Sequence, residues 1–285
     1  MKDHDTRRSI MFATDLSKNS SRAVEWVRWL RERSRATAYI VHVLDPVSKR
    51  IGSAENEKDR ERVQGELDRF TRKNGFSGGA FRPVLFVGDR AVVLAQFAKR
   101  HGVGVAILEN HAIGLNRFLA GSISEEIYRS VSCPVLTVGP LAQRPPTGKI
   151  VRVLFATSLD KPSPTIFGRI RRIFGDDARL ELTLAHFVPE ESKRLVERYQ
   201  TRRDLQAELV QLVPDQLRER IRDVIVECCS PVQGILELSR AEHVDLILLA
   251  VRDAGPFTRL ATHRTGSIVH KIIERAACPV LTIRK

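Results

Sequence analysis

Few residues of this chain stand at spacings that chemistry would require. His270 and Glu274 lie one helical turn apart and present a metal-binding spacing. A surface ion pair accounts for the same spacing, and the sequence places no third ligand. The four cysteines, Cys133, Cys228, Cys229 and Cys278, include no CxxC pair. That argues against a zinc site or a disulfide framework and for reduced thiols in a cytoplasmic setting. The vicinal Cys228-Cys229 offers redox chemistry, but two small residues ending a buried strand is the simpler reading. His42 and His186 recur near the ends of strand-like runs, where a structural role outranks a catalytic one. Trp26 and Trp29 are three apart on a helical segment. They read as packing residues, because a base-stacking platform would need a basic groove around it. Neither a Walker A segment nor a Gly-x-Gly-x-x-Gly follows the first strand-like run, so P-loop and dinucleotide sites are unsupported. With no positioned base, metal-carboxylate pair or nucleophile, catalysis ranks below binding, and a slow ATP hydrolase or phosphotransferase ranks last.

The elements that must position any site come in two sets. Gly121-Ser122-Ile123 through Cys133-Pro134-Val135-Leu136-Thr137 recurs as Gly266-Ser267-Ile268 through Cys278-Pro279-Val280-Leu281-Thr282. Phe12-Ala13-Thr14 recurs as Phe155-Ala156-Thr157, and His42 as His186, in the same order and at nearly the same shift. This is duplication of a whole domain. The expected boundaries are domain 1 over 1–140, a linker over 141–149 marked by Pro145-Pro146 and Gly148, and domain 2 over 150–285. In each half, apolar strand-like runs alternate with helical periodicity. In the first, strands are expected at 10–14, 38–44, 84–87, 103–108 and 134–138, with helices between them. In the second, a long helical region is expected over 191–222, followed by a strand over 223–228. Such alternation predicts an α/β fold: two tandem Rossmann-like domains, each a five-stranded parallel sheet with helices on both faces. The last strands, 134–138 and 279–283, would be apolar open edges, and pairing them with each other or with a second chain removes that liability.

Composition bounds the rest. The 285 residues carry a formal net charge of +13. Arg and Lys alternate with Asp and Glu along helical segments, which suits a solvated surface with a weak general attraction for anions rather than specific nucleic-acid recognition. No apolar run approaches a membrane span, and the charged start of the chain lacks the apolar core of a secretory signal.

Several pieces together carry a family resemblance: Ile10-Met11-Phe12-Ala13-Thr14-Asp15-Leu16-Ser17, the strand ending in His42-Val43, the turn Val87-Gly88-Asp89, and Gly121-Ser122 leading to Cys133-Pro134-Val135-Leu136. The ordered set, found twice, is similar to the universal stress protein family, as a tandem two-domain member. The resemblance implies a stress-response regulatory or binding protein whose first domain holds ATP or another adenine nucleotide. It implies that Asp15 accepts from the adenine base, while Gly114, Gly121, Ser122 and Ile123 bring backbone N–H groups to phosphate at a helix start. Two glycines of the family's motif fall on Leu108 and His111, where side chains narrow the phosphate cradle. His111 and Arg117 either contact phosphate or are ordinary loop residues. In the second half Ser158 stands in place of Asp15, and Pro256 interrupts the loop, so the second site is expected to be degenerate. The other reading is a nucleotide-independent interaction platform with an unidentified protein partner. The two halves are expected to form an internal pseudo-dimer, with homodimerisation of chains as a further arrangement.

Overall fold

The computed structural model describes residues 9–17, 21–44, 53–110, 127, 130–148, 150–159, 165–174, 179–189, 202–251 and 268–284. The first half runs β1 (Ser9–Ala13), α1 (Ser21–Ser34), β2 (Ala38–Leu44), α2 (Ser53–Lys73), β3 (Phe81–Val87), α3 (Arg90–Arg100), β4 (Val103–Glu109) and β5 (Val135–Val138). The second runs β6 (Ile150–Ala156), α4 (Thr165–Phe174), β7 (Arg179–Val188), α5 (Arg202–Gln211), α6 (Asp215–Arg218), β8 (Ile221–Cys228), α7 (Pro231–Ala241), β9 (Leu246–Val251), α8 (Ile268–Arg275) and β10 (Val280–Arg284).

Local chemistry sets many of these boundaries. Asp89 caps α3, its carboxylate accepting from Val92 N at 2.9 Å, and Ala91, Leu94, Phe97 and Ala98 form that helix's buried stripe. Pro231 opens α7, where a missing N–H costs nothing. The helical region expected over 191–222 resolves differently among the described residues. Pro214 separates α5 from the short α6, and β8 begins already at Ile221. Strand β3 reaches back to Phe81 and includes Pro83, which an edge strand tolerates because one side of its backbone has no partner.

The two five-strand sets do not stay separate. They form one ten-stranded sheet in the order β3-β2-β1-β4-β5-β10-β9-β6-β7-β8. All pairings are parallel except the central one, where β10 runs antiparallel to β5. In that seam Leu281 faces Leu136, Val280 faces Thr137, and Thr282 faces Val135. Leu136 and Leu281 are equivalent positions of the repeat, so the pairing is centred on a pseudo-two-fold axis. On one side of the sheet a single apolar core crosses both halves, with Phe12, Trp26 and Leu30 continuous with Phe155, Phe167 and Phe174. There α1 packs on α4, and the rings of Trp29 and Phe174 meet edge to face at 5.8 Å. On the other side each half has its own core, and Val269 of α8 touches both.

The Pro-Pro segment is strapped to α1 rather than free. Arg22, Trp26, Trp29 and Arg33, along one face of that helix, donate to the carbonyls of Pro140, Gln143, Pro146 and Gly148. The two indole bonds measure 3.1 and 2.9 Å. Gln143 N in turn donates to Ala277 O of the second half at 2.8 Å. Both tryptophans therefore act in packing, as their spacing suggests.

Candidate functional site

In an open parallel sheet, ligands sit beyond the carboxyl ends of the strands, where the strand order reverses. In the first half that point lies between β1 and β4, which are neighbours in the sheet. The loop leaving β1 is built by side chains. Thr14 continues the ladder, its N–H donating to Val41 O at 3.0 Å. Its hydroxyl accepts from Leu16 N at 3.0 Å, while Leu16 takes a left-handed φ of 62°. His42, near the end of β2, places Nδ1 at 2.8 Å from Thr14 O. A carbonyl oxygen only accepts, so Nδ1 carries the proton in this contact.

The second half repeats the device: Leu159 N donates to Thr157 Oγ1 at 3.3 Å, His186 Nδ1 contacts Thr157 O at 2.8 Å, and Leu159 has a φ of 59°. Both histidines thus hold a loop in shape. The copies differ in the residue between threonine and leucine, Asp15 in one and Ser158 in the other. Both are exposed. Asp15 Oδ1 accepts from Ser17 N at 2.9 Å, which turns the carboxylate over its own loop at the mouth of the reversal point.

On the facing strand, Leu108 lies inside β4, paired with Ala13 and Thr137. Its side chain is 3% exposed and packs in the same core as Met11 and Leu94. It therefore fills the interior of the first half, and a glycine there would leave a hole in the core as well as a wider cradle. Beyond it, Asn110 is 2% exposed. Its N–H donates to Val138 O at 3.0 Å, but neither Oδ1 nor Nδ2 has a partner among the described residues. Sequence reasoning missed Asn110. The available signal was a carboxamide directly ending the apolar run of β4, a position that must be satisfied by a neighbour, water or ligand. Gly114, Gly121, Ser122, Ile123, His111 and Arg117 lie outside the described residues, as do Pro256, Gly266 and Ser267.

The remaining chemical candidates resolve into structure. His270 Nε2 and Glu274 Oε1 are 3.3 Å apart, and no group of three or more metal-ligating side chains occurs among the described residues. Burial pushes the thiols of Cys133 and Cys278 up to about 12. No helix among the described residues is long and apolar enough to cross a membrane.

The sequence model described as the universal stress protein family matches the chain twice, over residues 6–139 and 150–284. No relative is found among curated proteins. Among solved structures, a universal stress protein from Archaeoglobus fulgidus is similar at 18% identity and a TM-score of 0.72, covering 98% of this chain and 97% of that one. A functionally unknown protein from Pseudomonas aeruginosa PAO1 is similar at 14% identity and a TM-score of 0.62, covering 97% and 92%. At such identities the likeness speaks to the fold.

Proposed function

Since the chain belongs to the universal stress protein family through both of its halves, we propose that it is a stress-response binding protein that takes an adenine nucleotide, ATP in the first instance, in its first half. The domain division is read as 1–140 and 150–285, joined by 141–149. The observation that carries the reading is the asymmetry at two otherwise matching loops. Thr14, Leu16 and His42 have their equivalents in Thr157, Leu159 and His186, while an exposed carboxylate is kept only at Asp15. The buried carboxamide of Asn110 at the end of β4, without a partner among the described residues, supports a polar ligand at the same place. In this reading Asp15 accepts from the base, and Gly114, Gly121, Ser122 and the backbone of Ile123 hold phosphate. The protein's role is binding, with nucleotide altering a surface used by a protein partner, rather than turnover.

Isothermal titration of ATP, ADP and AMP into the full chain tests the reading. Asp15→Ala removes an acceptor to the base and is expected to weaken binding by about 1–3 kcal/mol. Gly121→Val puts branched bulk against phosphate and is expected to abolish it, while Gly266→Val leaves it intact. Absence of binding heat with any of the three nucleotides in the wild type overturns the proposal. It leaves a nucleotide-independent interaction platform, the reading favoured by the core position of Leu108.

A further inference from the structure

At the opposite end of the first half's sheet, the amino ends of β1 and β4 border a partly open cavity of about 20 Å³. Its walls come from both halves. The first half contributes Ser9, Ile10, Gly104 and Val105 at the strand ends and Ser34 at the end of α1, and the second half contributes Arg169 and Ile173 of α4. The strand ends are irregular. Ser9 faces Val103 and Ile10 faces Val105, so Gly104 is an extra residue in β4, without an opposite number in β1. Such bulges leave backbone groups out of the ladder and recur beside sites. Ser9 is 6% exposed, and its hydroxyl donates to His101 O at 3.1 Å.

Arg169 is the charge in this wall, and it has no hydrogen bond or ion pair among the described residues. A partly shielded guanidinium with no ion pair among the described residues favours an anion, and its planar donor fork suits oxyanions. Burial raises the Cys133 thiol, and the charges of Arg169 and Arg284 oppose that rise.

We propose that this cavity is a small-oxyanion site in which Arg169 clamps a phosphate or carboxylate group against the bulge at Gly104. One oxygen enters the cavity, and the rest of the group lies in the open mouth. Because the clamp and the strand ends belong to different halves, the anion ties α4 to the first half's sheet. The site is separate from the carboxyl-end crevice and independent of the nucleotide reading.

The test is thermal unfolding of the full chain with inorganic phosphate or acetate, against chloride at equal ionic strength. Wild-type protein is expected to show a saturable rise in Tm with at least one of the two oxyanions, beyond the chloride series. The more effective anion distinguishes a phosphate from a carboxylate ligand. Arg169→Gln should weaken the apparent affinity at least tenfold, and Arg169→Lys should retain part of it. Gly121→Val should keep the rise, which separates this site from the proposed nucleotide loop. No saturable excess over chloride in the wild type, or an equal rise in Arg169→Gln, overturns the proposal.

Discussion

Cys278 is buried in one core and Cys133 packs half-buried against another, while Cys228 stands exposed at the end of β8. The reactive species of cysteine is the thiolate, so a thiol held near 12 by desolvation is inert at neutral pH. Cys229 is also shifted up, first by burial and then by Glu227 and Glu237. Brief alkylation of native protein near neutral pH, followed by mass spectrometry, should therefore mark Cys228 first. Cys133 and Cys278 should label only after denaturation. Native labelling of Cys133 or Cys278 at the rate of Cys228 would contradict this. The same shift bears on stability. The folded thiols stay neutral where unfolded ones, at the ordinary 9.0, ionise. Their contribution is whole below about 9 and is lost as pH rises toward about 12. Alkaline unfolding of a Cys133→Ala variant should accordingly depend less steeply on pH across that interval.

Gly139 shows how closely the elements meet at the seam. A Cβ added there would run into the backbone carbonyl of Ile273 in α8, which cannot swing aside as a side chain can. Gly139→Ala is expected to cost about 1–3 kcal/mol, read as a lower midpoint in denaturant. An unchanged midpoint would mean that α8 yields more easily than its packing implies. That contact was not legible in the sequence, because it depends on two elements far apart in the chain. What was legible followed local periodicity: the strand–helix order, and Trp26 and Trp29 of α1 as packing residues. Where periodicity was weak, the reading slipped. Charged Arg222 hid the start of β8, and Pro83 hid the start of β3, since edge strands need alternate neither cleanly nor continuously. Asp15 was named from the family resemblance, and the structure places it exposed in the loop that leaves β1. Asn110 was not, because burial without a partner is a fact of three dimensions. Leu108 was read as an obstruction in a motif, and its packing shows a second duty in the core.

The whole molecule closes on itself through β5 and β10, leaving β3 and β8 as the outer edges of the sheet. Those edges carry the exposed residues Arg82, Arg222 and Asp223, with Pro83 on β3, features that discourage further strand addition. Separated halves would lose this closure. Fragments 1–142 and 149–285 each expose a short apolar strand whose register is centred on one leucine, so each should pair with a copy of itself. Light scattering should find dimers or larger species, and monodisperse monomers of both fragments would count against the seam as an adhesive edge. The symmetric register has one more consequence, for how such a chain can change. In a dimer of identical subunits, every substitution at the axis appears twice, and the two copies must tolerate each other. Once the copies share a chain, a substitution is felt once. The seam already shows it: Thr282 donates its hydroxyl to Val135 O at 3.3 Å, while its counterpart Thr137 has no side-chain partner among the described residues. Gly139 and Arg284 occupy corresponding places with opposite demands on space. The join that holds the halves together thus also releases each from the other's sequence, and so one half can keep a carboxylate at the mouth of its loop while its twin carries serine.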